Sequence, residues 1–115
     1  MMKYEELQVK VNEWAREKGI FDKSDAIKQV GKTQEELDET LEALLLLSKC
    51  DTPDQQVTRS EALAEVEDGI GDMIVTIIIA AEMVGLDSVT CLKSAYNVIK
   101  HRTGKMENGV FVKDQ

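Results

Sequence analysis

The sequence predicts an all-α fold: a bundle of four helices followed by a short extended C-terminal tail, within one domain spanning residues 1–115. Three observations carry that expectation. Apolar residues recur at helical spacing in four separate segments. Each segment is bounded by capping residues, glycine or proline. Aromatic residues make up only 4% of the chain and there is a single proline, which does not suit a β-sandwich or barrel. At 115 residues one core is all the chain is expected to build, and 43% apolar with 31% charged residues is the composition of a chain that folds.

The first helix is expected from about Tyr4 to Lys18, with Leu7, Val11 and Trp14 at i, i+4 and i+7, Arg16 and Lys18 in the last turn, and Gly19 closing it. A second begins at Ser24 as N-cap and runs through Ile27, Val30, Leu37, Leu41 and Leu44 to about Ser48. Residues Lys49 to Arg59 hold Asp51-Thr52-Pro53-Asp54 and read as an exposed connection. Thr58 and Glu61 form a capping-box pattern that opens a third helix, stopped by Gly85 after Val84. Asp87 or Ser88 caps a fourth, whose core stripe is Val89, Leu92, Tyr96 and Ile99, ending near Lys100. The tail, Arg102 to Gln115, carries the turn pair Asn108-Gly109 before an extended Val110-Phe111-Val112. The third helix is apolar on nearly every face. Three other helices cannot cover it, so a second copy of the chain is expected to complete the bundle as a homo-oligomer.

A net charge of −8 disfavours nucleic acid and anionic lipid as partners. Cys50 and Cys91 are far apart and there is one histidine, His101, so neither a zinc site nor a disulfide framework is expected. Both cysteines read as reduced core thiols and His101 as a surface residue. The apolar run Ile70 to Leu86 is interrupted by Gly71, Asp72, Thr76, Glu82 and Gly85, which argues against a membrane span. The opening Met-Met-Lys-Tyr-Glu-Glu lacks a secretory pattern, so a cytoplasmic protein is expected.

Two acidic stripes stand out at 100° per residue. Gln29, Lys32, Glu36 and Glu39 share one side of the second helix with Glu35 at its margin; Glu61, Glu65, Asp68 and Asp72 share one side of the third. Like charges at this spacing cost about 0.2–0.5 kcal/mol per pair, a cost that a divalent cation relieves. The alternative is that both stripes are solvated faces of an acidic protein. Asp72 opens the most apolar stretch of the chain, and Gly69 and Gly71 beside it leave room for a ligand or for a close-packed helix. Hard carboxylate oxygens without nitrogen or sulfur favour magnesium, with manganese as a substitute. Calcium EF-hand and di-iron patterns are missing. On the fourth helix Lys93, Asn97 and Lys100 form a stripe that can hold phosphate oxygens, or that merely complements the helix dipole.

In their order along the chain these residues resemble the all-α MazG-like nucleoside triphosphate pyrophosphohydrolases. Gln29-x-x-Lys32-x-x-Glu35-Glu36-x-x-Glu39 is similar to the family's first motif, and Asp68-Gly-Ile-Gly-Asp72 with its apolar helix and Gly85-Leu86-Asp87 to the second. Lys93-x-x-x-Asn97-x-x-Lys100-x-Arg102 is similar to the third, Asn12-Glu13-Trp14-Ala15 with Gly19-Ile20 to the family's opening, and Asn108-Gly-Val-Phe-Val-Lys113 to the ending of small members. The resemblance implies hydrolysis of a (deoxy)nucleoside triphosphate to monophosphate and pyrophosphate, with Glu36, Glu39, Asp68 and Asp72 on magnesium and Glu35 or Glu39 activating water. It further implies that Lys93, Asn97, Lys100 and Arg102 hold the leaving pyrophosphate, in a homodimer or homotetramer with sites near the interface. Lys32 either touches substrate or pairs with Glu35 and Glu36; Trp14 either stacks on a base or belongs to the core. The family's second motif is usually Glu-x-x-Asp, and Gly69 stands at the Glu position if Asp72 is the Asp. Either Asp68 substitutes, or Glu65-x-x-Asp68 is the true pair, or the chain is a non-catalytic nucleotide-binding or regulatory relative.

Overall fold

Local capping chemistry sets most helix ends in the computed structural model, which describes residues 1–115. The first helix, α1 (Tyr4–Glu17), stops before Gly19 as expected, and an unforeseen short helix, α2 (Ile20–Lys23), follows it. Asp25 rather than Ser24 caps α3 (Ala26–Leu47), its Oδ1 accepting from the Lys28 N–H at 2.8 Å. Ser24 Oγ instead accepts from Gln29 Nε2 at 3.1 Å.

The next helix starts earlier than the Thr58–Glu61 pattern suggests. Thr52 and Gln55 form the reciprocal capping box around a 3-10 turn, Pro53–Gln55, and α4 (Gln56–Met83) runs on directly from it. Pro53 favours this start because its fixed φ suits a first helical turn and its missing N–H is not needed there. At the other end Leu86 N–H reaches Ala81 O at 2.9 Å and Gly85 N–H reaches Glu82 O at 3.1 Å, a Schellman stop that uses the positive φ of Gly85. Asp87 caps α5 (Ser88–Ile99) through Oδ1 to the N–H groups of Val89 (2.8 Å) and Thr90 (3.1 Å).

The tail is a hairpin, where a lone extended run was expected. Strands β1 (Gly104–Glu107) and β2 (Val110–Lys113) pair antiparallel, with Met106 opposite Phe111 and Lys105 opposite Val112. Asn108 and Gly109 both take positive φ (51° and 80°), the geometry of a two-residue hairpin turn.

Helices α3 and α4 pack along their lengths, α1 lies on α4, and α5 touches α4 and α1. The α3–α4 seam is small and polar. Thr33 and Thr76 hydroxyls meet at 2.6 Å, Thr40 faces Gly69, and Ala43, Ala62 and Ala80 are buried. A Cβ at position 69 would collide with Thr40 Oγ1, so Gly69 is what lets the two helices approach. A polar knot ties α1 to the start of α5: Gln8 Oε1 accepts from Ser88 Oγ and from the Val89 N–H, while Gln8 Nε2 donates to Asp87 Oδ2 at 3.3 Å.

The chain covers little of its own apolar surface. Only 13 of 115 residues are buried, and Ile79 is the largest side chain fully enclosed. Leu92, Tyr96 and Ile99, expected in the core, are exposed because nothing in the single chain lies over that side of α5; Leu37, Leu41 and Leu44 on α3 are exposed likewise. Cys50 is buried but Cys91 is exposed, which corrects the reading of both as core thiols. No single helix is long and apolar enough to cross a membrane.

Candidate functional site

Because α3 and α4 meet through small residues, their acidic stripes face each other across one groove of about 560 Å³. Glu36, Glu39 and Glu42 line it from α3, and Glu65, Asp68 and Asp72 from α4, with the buried Ala43 and Gly69 between them. Four expected metal ligands, Glu36, Glu39, Asp68 and Asp72, therefore share one site, and Glu65 shares it too. Glu42 was missed by sequence reasoning. Its signal was its place one turn beyond Glu39, on the edge of the same stripe. Glu61, counted in the α4 stripe, does not line the groove.

Glu36 is the most perturbed of these groups. Partial burial, then the negative charges of Glu39 and Asp72, hold its carboxyl above the ordinary 4.5, against the opposing pull of Lys32. Asp72 itself is exposed, so burial does not force a partner on it as its place in the sequence suggested. What crowds the groove is like charge, with Glu39 and Asp72 both acting on Glu36. An all-carboxylate donor set under mutual repulsion fits magnesium or manganese, although no three of these side chains are gathered as a ready-made ligand set.

Glu35 and Lys32 sit outside the groove lining. Their side chains pair at 3.0 Å, which raises the Lys32 pKa through the hydrogen bond and charge of Glu35. The ion-pair reading of Lys32 is thus the one the geometry displays, and Glu39, not Glu35, reaches the groove.

Trp14 is 47% exposed and outside the core. Together with Leu7, Lys10, Val11 and Val75 it lines an apolar cleft whose remaining wall is Asp72. One carboxylate therefore belongs to both the acidic groove and the apolar cleft. The cationic row lies elsewhere. Lys93, Asn97, Lys100 and Arg102 are exposed, Lys100 Nζ stands 5.8 Å above the Tyr96 ring, and Arg102 lines a shallow cleft with His101 and Lys113. None of the four lines the acidic groove of its own chain.

No protein-family model, curated protein or solved structure matches this chain.

Proposed function

We propose that the protein is a magnesium-dependent pyrophosphohydrolase acting on (deoxy)nucleoside triphosphates, releasing the monophosphate and pyrophosphate as a nucleotide-pool enzyme. The observation that carries this reading is the shared groove, in which carboxylates from two helices crowd closely enough to perturb Glu36. Glu36 and Asp72, with Glu65 or Asp68, would hold the cation, and manganese would serve in its place. When bound, the cation neutralises polyphosphate charge and acidifies a bound water.

The chain's own groups supply the rest. Glu39 orients a water and takes its proton as the water oxygen attacks the α-phosphorus. The bond from that phosphorus to the α–β bridging oxygen breaks, and pyrophosphate leaves with the electron pair. Trp14, with Leu7 and Val11, receives the base, since their cleft adjoins the groove at Asp72. Lys93, Asn97, Lys100 and Arg102 hold the departing pyrophosphate. Because none of that row lines the groove within one chain, a second copy would supply it, in a homodimer or homotetramer that also completes the helical bundle.

Pyrophosphate release from a panel of ribo- and deoxyribonucleoside triphosphates with magnesium tests the proposal. Release from at least one nucleotide is expected, and no turnover of any of them overturns it. Gly69 favours a second reading, a nucleotide-binding relative without catalysis, because Thr40 occupies the space that a carboxylate at 69 would need. Tight nucleotide binding with no turnover would select that reading.

A further inference from the structure

The hairpin is not used by this chemistry, and its construction sets a problem. Its turn is well formed, the tip of the Phe111 ring lies over Gly104, and Lys105 pairs with Glu107 at 3.4 Å. Yet every residue of both strands is exposed. A two-stranded hairpin standing alone in water is marginal at best. This one presents Met106 and Phe111 as a cross-strand pair on one face, with 64% and 48% of their surfaces exposed. The same face carries Lys113 and no acid, in a chain of net charge −8, whereas Lys105 and Glu107 pair on the opposite face.

A second copy of this chain offers what both features lack. Along α3 the exposed Leu37, Leu41 and Leu44 form an apolar strip, bordered on one side by Asp38. We propose that the hairpin is an arm that grips a second copy, seating Met106 and Phe111 on the Leu37–Leu41–Leu44 strip of α3 there and placing Lys113, which shares their face, against its acidic border. Two copies exchanging arms bury both strips and leave neither hairpin unsupported, which is the closed arrangement that two-fold symmetry allows. The arm rests on the homo-oligomer reading above and adds to it the segment that holds the copies together.

The test uses the full-length chain in two measurements. Sedimentation equilibrium compares the wild type with Phe111→Ser and Lys113→Glu, with circular dichroism confirming unchanged helix content. A photo-reactive amino acid at position 111, in a mixture of nitrogen-15-labelled and unlabelled chains, reports which copy the arm touches. The proposal expects self-association at least tenfold weaker in both variants, weaker wild-type association in high salt, and crosslinks from position 111 to α3 of a differently labelled chain. A wild-type oligomer whose dissociation constant is unaffected by either variant overturns the arm while leaving the oligomer intact. Crosslinks confined to one chain, or joining two hairpins, also overturn it. A wild type that stays monomeric at every concentration overturns the arm and the oligomer together.

Discussion

At Glu36 folding and cation binding make opposite demands. Its carboxyl is held above the ordinary value by burial and by Glu39 and Asp72, so folding disfavours its ionised form relative to the unfolded chain. A raised pKa gives stability that is present below the unfolded-state value and is lost as pH rises through the folded one. In metal-free protein at pH 7, Glu36→Gln should therefore melt above the wild type, and the difference should vanish in acid. Magnesium should raise the wild-type melting temperature more than that of the variant, because it binds the ionised groove. The same substitution should lower pyrophosphate release by on the order of 10²–10³, the scale on which losing one well-placed electrostatic group acts. Glu35→Gln should change the rate by no more than about fivefold, since it removes only an exposed ion pair with Lys32; steady-state kinetics on both variants reads the contrast. Asp87 has the opposite sign. Its pKa is lowered, first by the Thr90 N–H, so its stabilisation is present above the unfolded value and lost as pH falls through the folded one.

At the level of helices, two glycines that look alike in sequence should behave differently. Gly69→Ala drives a methyl group into Thr40 and should cost about 1–3 kcal/mol, the range for overpacking a tight seam. Gly71 meets nothing within 4 Å, so Gly71→Ala should be neutral or stabilise by up to about 1 kcal/mol through helix propensity. Urea denaturation of both variants separates the cases. Sequence reading had treated these glycines as equivalent, because spacing shows which side of a helix a residue is on and not what lies opposite. The same limit explains the stripes. That Leu92, Tyr96 and Ile99 share one side of α5 was legible, but what covers that side was not, and in the single chain nothing does. Signals carried by a few adjacent residues were legible almost to the residue: Gly85 stops α4, Asp87 caps α5, and Asn108-Gly109 turns the chain. The start of α4 was misplaced because Thr52-Pro53-Asp54-Gln55 and Thr58 with Glu61 are both competent starts, and only the outer one is used. The groove was legible as two acidic stripes, whereas the absence of the cationic row from its lining goes with the 101° bend between α4 and α5, which no local pattern encodes.

Across the whole molecule the single chain is extended and leaves much apolar surface exposed. A radius of gyration of 17.4 Å exceeds the about 13 Å of a compact chain near this length, and long apolar strips run along α3, α4 and α5. Association should bury those strips and bring the cationic row of one copy to the groove of another. If so, mixing inactive Glu36→Gln chains with inactive Lys93→Ala/Lys100→Ala chains should restore part of the pyrophosphate release. The mixed assembly contains some sites with an intact groove and an intact row, while sites built within one chain would stay inactive after mixing. All of this depends on the carboxylates of α3 and α4 acting on one cation. Anomalous diffraction from crystals grown with manganese tests that most directly. The account predicts a peak between the two helices, within about 2.0–2.3 Å of carboxylate oxygens from Glu36 or Glu39 on one side and Glu65, Asp68 or Asp72 on the other. Manganese bound only elsewhere, or a groove that stays empty at saturating manganese, would contradict it.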